Sequence, residues 1–358
     1  MDKPEPKHIL AERQITEVIR HLKIDDKLPG ERVLAKDLGI SYMTARKAVE
    51  NLVTKGVLYK VPKKGTYVAD QKKTAKKTKN IGYFLDSSIK DGLASPYYSM
   101  IFDALEKEAT RNGYALVYFT NGKGTDYLEI LKKVDGVIIS CFPRIEPIIQ
   151  EMNKRVPLVC IDNSLPDKSI ASVTLDNFNS VVDSVDYLCS QDHERIGFIT
   201  GLDDSDIGRD RLCGYLSALK SHGISEDMDL VFRGDYSFAT GKKGADYFLS
   251  LDNPPTAVMC ANDTMAISAI KEIIRRGFRV PEDISIIGFD DITIASQITP
   301  ALSTVSVPVE DIAKKAITML RAAMDEDETI YQHAVLPCQL VLRDSSASSK
   351  EKRVAVGG

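Results

Sequence analysis

The sequence predicts an α/β protein in which a winged helix-turn-helix head precedes a body of two doubly wound subdomains. Three observations carry this reading. Residues 28–69 hold two helix-spaced apolar patterns around a Gly-Ile-Ser turn, then two strand-like runs flanking a basic tip. From residue 81 onward, short apolar runs alternate with amphipathic helix patterns, and the alternation restarts near residue 196. Between head and body lies a lysine-rich stretch with no large apolar residue.

The first helix of the head is expected over residues 9–22, where Ile9, Leu10, Ile15, Val18, Ile19 and Leu22 recur at helical spacing. The run Asp25-Asp26-Lys27-Leu28-Pro29 sets a turn, and residues 31–38 form the second helix. Gly39 can take the left-handed conformation that ends this helix, and Ser41 can cap the next. Ala45, Ala48, Val49, Leu52 and Val53 then give the third helix one apolar face, leaving Tyr42, Thr44, Arg46 and Lys47 on the other. A recognition helix has this form, because its N-terminal side chains enter the major groove. Residues 57–61 and 66–68 read as strands around Pro62-Lys63-Lys64-Gly65, a tip able to reach phosphate or the minor groove.

These residues resemble the winged helix-turn-helix of the GntR superfamily over about 60 residues. The resemblance implies DNA contacts from Arg32, Ser41, Tyr42, Thr44, Arg46 and Lys47, with Lys64 and Gly65 serving the wing. Gly30 stands where Ser is usual, Tyr42 where Arg is usual, and the wing carries Lys-Lys-Gly in place of Gly-x-Gly. Each departure falls on a DNA-contacting position, so the operator sequence does not carry over. A winged helix that binds protein is the alternative.

Composition bounds the rest. At 358 residues, with 43% hydrophobic and 27% charged content, the chain supports two or three globular domains with a sizeable core. Neither an 18-residue apolar run nor a signal-peptide pattern occurs, so a cytoplasmic protein is expected. The six cysteines form no CxxC pair and the five histidines are dispersed, which predicts reduced thiols and neither metal nor cofactor. Residues 1–79 hold 19 Lys and Arg against 10 Asp and Glu, a net +9, and the remainder holds 28 against 41, a net −13. A basic head on an acidic body points to a polyanionic partner for the head alone.

The domain plan follows: a DNA-binding head over 1–69, a linker over 70–80, a body over 81–346 and a flexible tail over 347–358. The linker, DQKKTAKKTKN, is either a solvated tether or an aid to phosphate binding. In the body, strands are expected over 81–85, 115–120, 136–140, 158–161, 196–199, 230–232, 257–260 and 284–289. Helices are expected over 98–112, 126–133, 145–153, 176–191, 210–222, 239–251 and 264–276. A further helix over 309–324 and a strand over 336–342 follow, and the chain is expected to cross between subdomains near 175–195, 303–307 and 325–335.

Ligands of open parallel sheets sit beyond the carboxyl ends of the strands. The residues there are Asp86, Asp162, Asn163, Asn262, Asp290 and Asp291, with Arg211 early in a helix and Tyr97, Tyr98 and Tyr236 in or near connecting loops. Carboxylates and amides bind hydroxyls, Arg forks onto two oxygens, and Tyr stacks on a sugar face. Asn262 and Asp290 read equally well as cap and turn residues.

From about residue 79 to residue 346 the chain resembles the effector domain of the LacI/GalR family, which has the periplasmic-binding-protein fold. The motifs are SPYYSMIFDALEKEATRNGYAL, DGVIIS, VTLDN, RIGFITG, RLCGY, ANDTMAISAIKEIIRRGFRVPEDISIIGFDD and LVLRDS. The resemblance implies effector binding by Arg211, Asn262 and Asp290. Asp162, Tyr236 and the Tyr97-Tyr98 pair align more loosely, and Asp176 is implied to be structural. A GntR-like head on a LacI-like body is similar to arabinose-type repressors, and it puts a hinge-helix mechanism in question.

The function expected is a sequence-specific transcriptional regulator, most simply a homodimeric repressor of carbohydrate-use genes. Its operator affinity would be set by a small effector, a sugar by the chemistry of the cleft. The alternatives are an activator, a regulator that needs its effector as co-repressor, a cytoplasmic sugar-binding protein or a sugar-processing enzyme.

Overall fold

The computed structural model describes residues 7–69, 77–89, 91–140, 145–325 and 333–349. The chain divides into two units, Met1–Lys77 and Thr78–Gly358.

In the first unit, α1 (Lys7–Ile19), α2 (Glu31–Asp37) and α3 (Tyr42–Thr54) precede β1 (Leu58–Val61) and β2 (Gly65–Val68). Gly39 takes φ 65 between α2 and α3, and Ser41 Oγ accepts the Thr44 amide at 3.1 Å, satisfying one of the free N–H groups at the start of α3. Ala45 is buried, and Ala48, Val49 and Leu52 share one core with Ala11 and Ile15 of α1 and Leu58 of β1. One buried charge joins the helices. Glu12 of α1 accepts from Asn51 at 2.6 Å and pairs with Lys55, and Lys55 and then Asn51 hold its carboxyl below the usual range despite burial. The strands pair antiparallel from Leu58↔Val68 to Val61↔Gly65, which places Lys63 and Lys64 at the exposed tip.

The second unit contains two six-stranded sheets. The first is built from β3 (Asn80–Leu85), β4 (Ala115–Phe119), β5 (Gly136–Ser140), β6 (Leu158–Asp162), β7 (Ala171–Leu175) and β13 (His333–Leu336), in the order β13-β7-β6-β5-β3-β4 and wholly parallel. The second is built from β8 (Ile196–Ile199), β9 (Val231–Phe232), β10 (Ala257–Cys260), β11 (Ser285–Asp290), β12 (Ser303–Ser306) and β14 (Gln339–Val341). Its order is β14-β12-β11-β10-β8-β9, with β14 antiparallel to β12. Every residue of β5, β6, β8, β10 and β11 is buried, as strands covered on both faces require.

Two strands were not legible. Ala171–Leu175 (ASVTL) and Ser303–Ser306 (STVS) are rich in small and polar residues, and they lie in the sheets by position rather than composition. The expected strand over 336–342 is split. Leu336 ends β13, Pro337 lacks the N–H a ladder needs, and β14 starts at Gln339 in the other sheet.

The chain passes between subdomains three times. The first passage is at Asp176, before the helix Asn177–Ser190 that packs on the helix Asp206–Ser221. The second is at Val307-Pro308, before the helix Val309–Met324 that packs on the helix Pro96–Arg111 and on β5, β6 and β7. The third is at Pro337-Cys338, later than the 325–335 expected. Residues 70–76 of the linker and 350–358 of the tail lie outside the described residues.

The start of the tail is anchored rather than free. Ala347 O accepts from His193 Nε2 at 3.0 Å and Ser349 N donates to Gln191 O at 2.9 Å. Immediately before it, the Ser345 hydroxyl takes the Ser303 amide at 2.8 Å and donates to Ile286 O at 2.6 Å. Serine side chains here replace the backbone partners a strand would supply, and hydrophobic periodicity gives no sign of that.

Candidate functional site

The carboxyl ends of the strands carry the side chains expected there. In the first subdomain, Asp162 closes β6 at φ 71, and its Oδ1 accepts the Tyr97 hydroxyl at 2.6 Å. Its Oδ2 is buried without a hydrogen-bond partner among the described residues. Tyr97 and Tyr98 begin the helix Pro96–Arg111 and meet edge to face, with centroids 5.2 Å apart. Burial, and then the Asp162 charge, push both phenols well above their usual range.

In the second subdomain, Arg211 lies on the helix Asp206–Ser221, started by the Ser205 hydroxyl accepting the Gly208 amide at 2.9 Å. Its side chain turns into the protein and is only 5% exposed. Nε donates to Asn177 Oδ1 at 2.8 Å, Nη1 donates to Ala261 O, and the guanidinium carbon lies 3.5 Å from the centroid of the Phe289 ring. Two strand ends supply its neighbours. Asn262 caps the helix Asp263–Arg275 by accepting the Met265 amide at 2.9 Å and donates to Tyr236 O at 3.1 Å. The cap reading therefore holds for Asn262, and one amide N–H remains for a ligand. Asp290 ends β11 at φ 117 and is buried.

The two sets of side chains act on one another electrostatically. Burial raises the Asp290 carboxyl well above the usual carboxylate range; Arg211 opposes the rise, while Asp263 and Asp162 add to it. Asp290 also acts on Tyr97 and Tyr98 of the first subdomain, and Tyr98 senses Tyr236. Tyr97, Tyr98, Asp162, Arg211, Tyr236 and Asp290 thus lie within electrostatic reach of one another, and Asn262 joins them through its bond to Tyr236 O. Asp162, Tyr236 (φ 64) and Asp290 have left-handed backbones, each a strain of about 1–3 kcal/mol, as do Asp291 (φ 56) and residues elsewhere such as Asp25 and Asp192.

Two other strand-end carboxylates serve the fold. Asp86 accepts from the Ser88 amide at 3.0 Å and its hydroxyl at 2.9 Å, ordering its own loop. Asp291 pairs with Arg343 at 2.7 Å. Asp176 caps the helix Asn177–Ser190 through the Asn179 amide at 3.1 Å, and its N–H donates to Leu336 O at 2.9 Å.

Three residues around the cleft were not singled out by the sequence. Asn177 holds Arg211 from 34 residues away, Phe289 supplies the ring beneath it, and Gly201 makes room for Tyr236. A Cβ on Gly201 would lie 2.1 Å from the Tyr236 ring. RIGFITG and GFDD carry Gly201 and Phe289, but nothing in the spacing marks either as a partner of the cleft.

On the head, Arg32, Ser41, Tyr42, Arg46, Lys47, Lys64 and Gly65 are exposed and Thr44 is half-buried. The Arg32 guanidinium stands 6.0 Å from the Tyr42 ring centroid, joining α2 to α3. Arg46 Nε pairs with Glu50 at 3.0 Å. Ser41 Oγ is engaged as the cap and lies 2.8 Å from the Thr44 hydroxyl. Gly65 has φ 132, and a Cβ there would approach Lys27 Cε to 2.7 Å. His8, Met43, Thr44, Arg46, Lys47, Glu50 and Asn51 share one concave surface.

Among the described residues, no helix is long and apolar enough to cross a membrane, and no group of three or more His, Cys, Asp or Glu is placed to hold a metal.

Comparison with known proteins adds the following. Residues 11–68 match the family described as bacterial regulatory proteins, gntR family, and residues 185–346 match the periplasmic binding protein-like domain. The HTH-type transcriptional repressor CytR of Escherichia coli (strain K12) is 32% identical over 262 residues, 71% of this chain and 76% of that protein. The probable HTH-type transcriptional repressor ExuR of Bacillus subtilis (strain 168) is 30% identical over 327 residues, 87% of this chain and 96% of that protein. Among solved structures, a LacI-family regulatory protein from Chloroflexus aggregans superposes with a TM-score of 0.68 at 29% identity, covering 75% of this chain and 99% of that one.

Proposed function

The chain belongs to the LacI family of HTH-type transcriptional repressors, and on that basis we propose that it represses carbohydrate-use genes under the control of a neutral sugar bound between its subdomains. The observation that carries the ligand class is the charge around the cleft. Asp162 and Asp290 face one guanidinium, that of Arg211, already committed to Asn177 and Ala261. Burial favours the protonated form of both carboxyls, so an anionic ligand group would be tolerated only while they stay neutral. Either one, when ionised, would repel it at low dielectric, whereas a neutral ligand fits both states. A neutral polyol instead supplies hydroxyl donors to Asp162 Oδ2 and Asp290, and acceptors for the remaining N–H groups of Arg211 and Asn262. Tyr97, Tyr98 and Tyr236 supply flat apolar walls against which a sugar ring packs.

In this reading Arg32, Tyr42, Arg46 and Lys47, with Lys64 and Gly65 on the wing, contact double-stranded operator DNA, and Ser41 and Thr44 order the start of α3 beside it. Two copies of the chain read the halves of a near-palindrome. The protein works in the cytoplasm, and the cleft binds its sugar without chemical turnover. Occupancy of the cleft changes operator affinity by about five- to 150-fold, the usual range of allosteric coupling.

A thermal-shift screen of the full-length chain against neutral sugars and their phosphates tests this, since a ligand specific to the folded state raises the midpoint. The reading expects a neutral sugar to raise the midpoint and its phosphate to have no effect. A panel in which only the phosphates stabilise the chain would overturn it.

A further inference from the structure

Met43 is the most exposed large hydrophobic side chain among the described residues, at 67%. It is the second residue of α3, and Arg46, Lys47 and Glu50 follow it at the spacings that share one helix face. All four are exposed, while Ala45, Ala48, Val49 and Leu52 fill the core on the opposite side. The neighbours of Met43 on the outer face are thus cationic or paired: Arg46 with Glu50 at 3.0 Å, and Thr44 with the Ser41 cap.

We propose that Met43 is a specificity-determining residue that packs on the C5-methyl group of a thymine in the major groove of the operator. The proposal rests on α3 being the recognition helix. A thioether chain neither donates nor strongly accepts a hydrogen bond, so it cannot read the polar edge of a base. The thymine methyl is the apolar feature that the major groove offers to such a side chain. The position suits the contact, because N-terminal residues of a recognition helix approach the base edges. The charge suits DNA over an apolar protein groove: Arg46 and Lys47 flank Met43, in a region of net +9 over residues 1–79. The unbranched side chain of Met also adapts its rotamers to a partner surface.

The test uses the full-length chain and a duplex selected from a random pool by its binding. Each thymine is replaced in turn by deoxyuridine, which removes the methyl and leaves base pairing intact. Affinities are measured for the unaltered chain, Met43→Ala, Met43→Leu and Arg46→Ala. At one thymine per half-site the replacement should weaken the unaltered chain about three- to fivefold, as loss of one buried methyl implies. Met43→Leu should keep that sensitivity and Met43→Ala should lose it. If no thymine is sensitive, or the sensitivity survives in Met43→Ala, the proposal is wrong. Arg46→Ala separates the two levels: strong loss of binding there with no thymine dependence refutes the Met43 contact alone. Unaltered binding by both alanine variants refutes α3 as the recognition helix, and the Met43 contact with it.

Discussion

The Arg211 guanidinium donates its Nε to the Asn177 amide oxygen at 2.8 Å, and Asn177 is the first residue after the chain's passage at Asp176. Asn177 is itself fixed by its Nδ2 donating to Leu175 O at 3.2 Å, the last residue of β7. A cleft side chain of the second subdomain is thereby tied to the segment that joins the two. Asn177→Ala leaves a buried charged donor unpaired, at a cost of about 1–3 kcal/mol. It should weaken sugar binding and shrink the ratio of operator affinities with and without sugar, while the affinity of the sugar-free protein stays near normal. Asn177→Asp keeps an acceptor for Arg211 and should retain the response. Operator titrations of both variants check this.

Arg46 shares α3 with Glu50, and the pair is exposed. If α3 lies in the major groove, Arg46→Ala should lower operator affinity by roughly 1–3 kcal/mol should it read a base edge. Should it neutralise a phosphate instead, the salt dependence of log K should flatten by about 0.9. Glu50→Ala frees Arg46 and removes a negative charge from the same face, so it should strengthen binding several-fold at low salt. Anisotropy titrations over a salt series separate these outcomes.

The Tyr236 ring lies over Gly201, where a Cβ would sit 2.1 Å from it. Gly201→Ala should push Tyr236 from its place and reduce sugar affinity about tenfold or more, as misplaced binding groups do. Operator binding without sugar should be unaffected. Calorimetric titration with the sugar reads the effect directly.

Much of this arrangement was legible in the sequence, and the limits have physical causes. The head follows from 3.6-residue periodicity, from Gly39 and from Ser41, all local features. The body follows from alternating apolar runs, which failed at ASVTL and STVS because burial there depends on neighbouring strands. The residues proposed for the cleft, Asp162, Asn262 and Asp290, come from one rule, that ligands gather at the carboxyl ends of parallel strands. That rule also collected Asp86 and Asp291, since a strand-end carboxylate that caps a loop or pairs with Arg343 looks the same in sequence. The Asn177–Arg211 bond joins residues on different helices across a subdomain passage, and no spacing encodes it.

Stability of the body should fall as pH rises. Burial pushes the Asp263 carboxyl up to about 7, although the Thr304 hydroxyl and the Ile292 amide, at 2.9 Å from Oδ2, favour its ionised form. Its folded pKa therefore exceeds its unfolded one, near 3.9. The protonated form favours folding below about pH 4, and this contribution is lost progressively as pH rises toward 7. Asp162 and Asp290 are shifted in the same direction. Melting midpoints should drop between about pH 4 and 7, and Asp263→Asn, which keeps an acceptor for the Ile292 amide while the Thr304 hydroxyl turns from donating to accepting, should flatten that slope.

The central claim is that a sugar in the cleft governs the head's hold on DNA. The most direct test is operator affinity at fixed salt, with and without the neutral sugar that most raises the melting midpoint, for the unaltered chain and Asp290→Ala. The account predicts a change of about five- to 150-fold for the unaltered chain. For Asp290→Ala it predicts normal operator affinity that the sugar leaves unchanged. A sugar response of full size in Asp290→Ala, or none in the unaltered chain, would contradict it.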